Sequence, residues 1–341
     1  MARLTQQEIL ALFAERSLVA LGQAADRARA RLHPERVVTY AVDRNINYTN
    51  VCVSGCRFCA FFRPPGHPKG YVLSLDELRA KLAEARELGA THVLLQGGLN
   101  PALRLGYYRD LLRVIKDEFG LHAHCFSPPE VVHIARIEGL TVPECLRALA
   151  DAGLDSVPGG GAEVLSDAVR SRVSPRKCTK GEWLEVMREA HRIGLRTTAT
   201  MMFGMGEGPE NLVEHLLAIR ELQDETGGFT AFIPWTFQPE NTALGSEVHP
   251  AGGHAYLQML AISRLALDNV PNLQASWVTQ GGKMAQLALR FGANDMGSTM
   301  IEENVVRAAG VTYRLPRSEI VRLIEDAGFT ARQRDSNYGY V

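Results

Sequence analysis

From the amino terminus to about Arg31, apolar residues recur at helical spacing (Ile9, Leu10, Leu12, Phe13, Leu18, Leu21) with charge between them, which predicts helices packed outside the main fold. The texture then changes. Val37–Val42 is a β-branched, bounded run of the kind a buried strand needs, and it leads into the polar segment DRNINYTN. Beyond it the pattern alternates: helix Ser74–Leu88, strand His92–Gln96, helix Tyr107–Glu118, strand His122–Phe126. Further strands are predicted at Leu154–Val157, Thr197–Phe203, Phe229–Pro234 and Gln274–Val278, with helical stretches such as Trp183–Ile193 and Leu212–Glu225 between them. Such alternation indicates parallel β/α units. Seven strands counted from Val38, with Ala293–Gly297 as an eighth, favour an α/β fold closed as an eight-stranded (β/α) TIM-type barrel over an open doubly wound sheet. Residues 1–36 are then an amino-terminal helical decoration, and residues 37–341 a single main domain that includes the carboxyl-terminal helices.

Five predicted strands end in glycine-rich or polar residues: Gln96-Gly97-Gly98, Ser127-Pro128-Pro129-Glu130, Pro158-Gly159-Gly160-Gly161, Gly204-Met205-Gly206-Glu207 and Gln238-Pro239-Glu240-Asn241. Barrels place their sites at the carboxyl ends of strands, so together these ends point to one face built for a ligand. Composition adds exclusions. With 341 residues, 46% hydrophobic and 22% charged, the chain has ample material for a large core, and a formal net charge of -1 leaves no broad positive field for nucleic acid. No apolar run is long enough to cross a bilayer and the first residues lack a signal-peptide layout, so the expected location is the cytoplasm, with no membrane partner.

Of six cysteines, Cys125, Cys145 and Cys178 are dispersed and read as small buried hydrophobes, while Cys52, Cys56 and Cys59 crowd into eight residues. Three thiolates are an informative number. Structural zinc takes four closed ligands, and the nearest histidine, His67, has no second partner. A [4Fe-4S] cluster on three cysteines leaves one iron open to a small molecule, which can be the amino and carboxylate groups of S-adenosylmethionine (SAM). A structural zinc module is the competing reading, and it predicts a colourless protein.

The spacing of these cysteines, with aromatic Phe58 before the last, resembles the radical SAM signature. That resemblance implies further SAM-binding positions: Gln96, Gly97 and Gly98 for the amino group, Glu163 as an acidic contact, and Phe203 and Gly204 in the run Met202–Glu207 facing the adenine. From about Val37 onward the chain resembles the dehypoxanthine futalosine cyclase family of menaquinone biosynthesis, through DRNINYTNVCVSGCRFCAF, LLQGGLNP, FSPPE, LDSVPGGGAE, SPRKC, TTATMMFG and GGFTAFIPWTFQP. The family chemistry is intramolecular. A 5′-deoxyadenosyl radical would take hydrogen from the sugar C4′ of dehypoxanthine futalosine, and the carbon radical would close onto the benzoate ring with loss of an electron and a proton. A one-electron donor such as flavodoxin or ferredoxin is implied. Aminofutalosine synthase and the radical SAM component of FO synthase are related alternatives.

Polar strand ends offer substrate-binding candidates in Asn47, Thr49, Ser127, Glu130, Arg176, Gln238 and Asn241, among which Arg176 has the fork that suits a carboxylate. The base for the final deprotonation is sought among His124, Tyr48 and Glu130. His67 reads as a loop residue, and Phe61–Gly70 as part of a lid.

Overall fold

Helix starts are written into this chain as Ser or Thr followed three residues later by Glu. In the computed structural model, which describes residues 3–341, Ser74 with Glu77, Thr141 with Glu144 and Thr179 with Glu182 each close a reciprocal capping box. They open helices Leu75–Glu87, Val142–Ala150 and Lys180–Arg192, where the caps satisfy amide groups that have no partner inside the helix. Gly139 and Gly227 end two other helices in the left-handed conformation that glycine adopts without penalty. The helix expected over Tyr107–Glu118 runs from Leu105 to Arg113 and continues as a wider π turn over Val114–Glu118.

Ten strands follow in chain order: β1 (Val37–Ala41), β2 (Asp43–Asn47), β3 (His92–Gln96), β4 (His122–Cys125), β5 (Ser156–Val157), β6 (Arg196–Phe203), β7 (Phe229–Thr236), β8 (Asn272–Leu273), β9 (Asp295–Ser298) and β10 (Thr330–Gln333). Strands β2 to β8 form one parallel sheet in sequence order. Closure comes from β9. It pairs with β1 at Thr39–Asp295 and Ala41–Ser298, and it reaches β8 through a bridge from Gln274 to Asp295 and the bond from Ala275 N–H to Asp295 O at 2.8 Å. Only Val42 separates β1 from β2, so the two are the lower and upper halves of one bent strand. The sheet therefore returns to its starting strand as an eight-stranded parallel barrel, the expected fold class. Helices Gln6–Phe13 and Leu18–Leu32 lie outside, against Pro209–Thr226 and Gly253–Ala266.

Two strands lie outside the expected set, and one expected strand is displaced. The polar segment before the cysteines is strand β2, because Asp43 and Asn47 alternate toward the lumen while Arg44 points out to Glu84 and Glu302. Lumen-facing polar positions mimic a loop when the sequence is read alone. The strand expected at Gln274–Val278 is displaced to Asn272–Leu273. After Ala275 the ladder stops, since Ser276 N–H turns to the Tyr256 hydroxyl at 2.7 Å and Trp277–Gln280 coils into a helical turn. Strand β10, which lies along β1 with Val37 opposite Thr330, is an addition that the alternation did not signal.

The chain after β10 seals the amino-terminal end of the barrel. Arg334 and Asp295, both buried, form an ion pair in which the guanidinium engages both carboxylate oxygens, while Thr39 Oγ1 donates to Asp295 at 2.5 Å and Gly297 N–H at 2.7 Å. The Tyr338 ring lies 4.0 Å from the Arg334 guanidinium carbon. Removing one partner of a buried pair strands the other charge, so Arg334→Met is expected to cost about 3–5 kcal/mol, measured as a shift of the urea unfolding midpoint. A loss below about 1 kcal/mol would show that the floor does not depend on this pair.

Candidate active site

The cysteine loop leaves the carboxyl end of the first strand and is pinned by backbone bonds on several sides. Cys52 N–H donates to Arg63 O at 2.9 Å, Val53 N–H to Leu99 O at 3.0 Å and Arg57 N–H to Val173 O at 2.9 Å. Gly55 adopts φ +57, and Ser54 Oγ lies 3.1 Å from Cys56 Sγ. Cys52, Cys56 and Cys59 carry free thiols and line one chamber with Phe58. Burial pushes the Cys56 thiol up to about 11 against the pull of Lys177, and it raises Cys59 against the amides of Phe62 and Phe61. Metal binding here must therefore displace protons.

Opposite the cysteines, Gln96-Gly97-Gly98 forms a tight turn in the same wall. A Cβ on Gly98 would sit 2.2 Å from Val51 O and 2.9 Å from Cys52 Cβ, so only glycine brings this backbone so close to the cysteine loop. Glu130 holds the turn from behind. Its Oε1 accepts from the Tyr48 hydroxyl at 2.7 Å and Gly97 N–H at 2.9 Å, while Oε2 accepts from Ser127 N–H at 2.8 Å and from the Ser127 hydroxyl. Both oxygens are committed, and burial raises the Tyr48 hydroxyl well above its ordinary value. Tyr48 and Glu130, expected as base candidates, are thus supports of the glycine turn.

Glu163 reaches the same chamber with a positive φ of 43. Lys177 Nζ donates to its Oε1 at 2.8 Å, while Oε2 is buried, 3.5 Å from Arg170 Nη1, and accepts no hydrogen bond. A buried carboxylate oxygen with an ion-pair partner but no hydrogen bond keeps acceptor capacity for a ligand hydroxyl or amine. Burial lowers the Lys177 ammonium, but Glu163 and Cys56 outweigh that cost and keep it charged; it lies 5.4 Å over the Phe58 ring. Lys177, a neighbour of Cys178 in the phrase SPRKC, escaped the reading of the sequence. Its only signal there was its place in that phrase.

A second chamber continues down the barrel and shares Gln96, Gly160, Gly161, Glu163, Trp235 and Val306 with the first. Its walls carry Asp43, His92, His124, Thr198 and Thr200 on successive strands. Of the base candidates, Glu130 lines the first chamber with both oxygens committed, and His124 lines the second. Burial holds its imidazole well below the usual histidine range, hence neutral at physiological pH. His92, 3.5 Å from Asp43, and the hydroxyls of Thr198 and Thr200 were not singled out from the sequence, although the alternation His-Ala-His-Cys in β4 carries the mark of a polar inward face.

The substrate candidates divide. Asn47, Ser127 and Gln238 line the first chamber, Gln238 donating to Thr236 O at 3.1 Å. Thr49 is fully buried and donates to Tyr71 O at 2.5 Å. Arg176 packs on Gly55 and donates to Ser54 O at 3.2 Å, so its fork braces the cysteine loop. Asn241, at φ 60, donates to Ala308 O at 3.0 Å and lies with His67 on an outer groove. Phe203 is buried in the core and Gly204 donates to Glu207 at 2.5 Å, leaving Met202 as the part of that segment in the chamber wall. Of the expected lid, Phe61 and Phe62 line the chamber, joined by Val305, Val306 and Ala309.

Residues 46–219 match the model of the radical SAM superfamily, and residues 226–341 that of the CofH/MqnC C-terminal region. The chain is 47% identical over 337 residues to the cyclic dehypoxanthine futalosine synthase of Halalkalibacterium halodurans, covering 98% of this chain and 91% of that protein. It is 44% identical over 318 residues to the 5-amino-6-(D-ribitylamino)uracil--L-tyrosine 4-hydroxyphenyl transferase of Archaeoglobus fulgidus, covering 92% and 91%. In fold it is similar to methylornithine synthase, with a TM-score of 0.76 at 19% identity over 96% of this chain and 94% of that one. The chain belongs to the radical SAM superfamily, in the branch that carries the CofH/MqnC C-terminal region. Membership implies a [4Fe-4S] cluster and SAM, and the residues present fit both: three thiols lining one chamber, a glycine turn beside them and a carboxylate oxygen that accepts no hydrogen bond.

Replacing Glu130 by Gln sets an amide N–H group against donors it cannot accept from. Glu130→Gln is expected to cost about 1–3 kcal/mol and to speed amide exchange at Gly97 and Gly98. Unchanged exchange at those two amides would show that the turn is held by something else.

Proposed function

We propose that this enzyme cyclises dehypoxanthine futalosine to cyclic dehypoxanthine futalosine in the futalosine route to menaquinone. The observation that carries the reading is 47% identity over 98% of the chain with a protein of that name. Cys52, Cys56 and Cys59 hold the cluster, Gln96–Gly98 and Glu163 hold SAM beside Phe58 and Met202, and the deeper chamber takes the substrate. When bound, cluster and SAM supply a 5′-deoxyadenosyl radical that takes hydrogen from the sugar C4′, after which the carbon radical closes onto the benzoate ring.

The chain's own residues then have three tasks. Gly98 lets the turn approach the cysteine loop, so that the reacting carbon and the C4′ hydrogen meet at the junction of the two chambers, and proximity selects one C–H bond among many. Trp235, Met202 and Val306 wall that junction with apolar surface, which keeps water from a reactive carbon centre. Lys177 supplies positive charge beside the thiolates. A one-electron donor of the flavodoxin or ferredoxin kind reduces the enzyme, in the cytoplasm.

Two experiments test this. The anaerobically reconstituted protein should contain about four irons and absorb near about 400 nm, and Cys56→Ala should lose both; a colourless zinc protein would contradict the ligand assignment. Given SAM, dithionite and substrate deuterated at C4′, it should release deuterated 5′-deoxyadenosine and a cyclised product. Unlabelled 5′-deoxyadenosine would refute the cyclase. Were tyrosine and 5-amino-6-(D-ribitylamino)uracil joined instead, the activity named for the Archaeoglobus relative would take its place.

A further inference from the structure

The lumen side of β4 carries histidines at both inward positions, and they share one hydroxyl. Ser156 on β5 stands opposite His124 in register, and its Oγ lies 2.7 Å from His124 Nδ1 and 2.7 Å from His122 Nε2. His124 lines the deeper chamber. His122 begins β4 at the amino-terminal end of the barrel, where it is partly exposed and Asp155, Lys116 and Asp335 lie around it. A chain of three hydrogen-bonding groups therefore runs from the chamber to the far end of the barrel.

A hydroxyl carries one proton and two lone pairs, so Ser156 can accept from one imidazole while donating to the other. Thr198 Oγ1 accepts from Gly159 N–H at 3.0 Å and lies 3.5 Å from His124 Nε2. Outward transfer requires the tautomer in which His124 carries its proton on Nδ1 and leaves Nε2 free, with Ser156 passing its own proton toward His122.

We infer that His124, Ser156 and His122 form a proton exit that takes the ring hydrogen lost in cyclisation from the chamber to the opposite end of the barrel. This rests on the cyclase reading. In the ring-closed radical, the carbon that formed the new bond still carries its hydrogen. Restoring the aromatic ring breaks that C–H bond: the proton goes to His124 Nε2, the bonding pair joins the ring, and the surplus electron leaves to a one-electron acceptor of the iron–sulfur class. His124 gives its Nδ1 proton to Ser156 Oγ, Ser156 gives its own to His122 Nε2, and His122 releases one to solvent. His124 is the catalytic residue; Ser156 and His122 act through it. Burial without a carboxylate partner keeps His124 neutral and so able to accept.

The test compares wild type with Ser156→Ala, Ser156→Thr and His122→Asn, all reconstituted and supplied with C4′-deuterated substrate. Ser156→Ala and His122→Asn should deliver deuterium to 5′-deoxyadenosine within about twofold of wild type while forming at least about tenfold less cyclised product, the scale of impaired acid–base catalysis. Ser156→Thr, which keeps the hydroxyl, should restore the ratio. Nitrogen-15 histidine spectra of the cluster-free protein should show His124 protonated on Nδ1. A parallel fall of label transfer and product in both variants, unchanged product, or His124 protonated on Nε2 would overturn the relay. If wild type itself transfers no label, the cyclase reading fails first.

Discussion

Closing eight parallel strands into a barrel is the constraint from which the other features of this protein follow. Closure removes both sheet edges, but it also creates a lumen whose inward side chains must be either apolar or hydrogen-bonded. Here the joint is a strand bent at Val42, whose lower half pairs with β9 and β10 and whose upper half pairs with β3. The lumen it encloses is polar along one side, from Asp43 through His92 and His124 to Thr198. Several of these groups find partners on neighbouring strands at fixed register, His124 with Ser156 and Thr198, and Asp43 with His92.

The same enclosure sets up the chemistry. At the carboxyl end, the cysteine loop and the glycine turn approach within the space of a missing Cβ, and Glu130, itself held by Tyr48 and Ser127, accepts from Gly97 N–H of the turn. At the amino-terminal end, Arg334 and Asp295 seal the floor with a pair shielded from water. Between them lies a space in which a neutral imidazole is favoured over a charged one.

Much of this was legible in the sequence. The three cysteines, the Gln96–Gly98 turn and the β/α alternation are local patterns, fixed by spacing along the chain, and the structure places the cysteines and the turn after the carboxyl ends of strands. What failed to read were assignments that depend on which way a side chain faces. Asp43–Asn47 was not read as a strand because its lumen positions are polar. Arg176 and Asn241 looked like ligands for a substrate and instead bond backbone carbonyls outside the chamber. Tyr48 and Glu130 looked like acids and bases because their chemistry permits it, and they turned out to satisfy each other.

By itself, then, the sequence determined the class of fold, the crowding of three cysteines in one loop and the face on which the site lies, since these follow from local propensity and from residues a few positions apart. Only the tertiary structure decided which polar residues share a chamber and which are consumed in holding it. That decision brings together Lys177 with Glu163, Ser156 with two histidines and Arg334 with Asp295. Partners of this kind are chosen by barrel register and closure, which no single stretch of chain encodes.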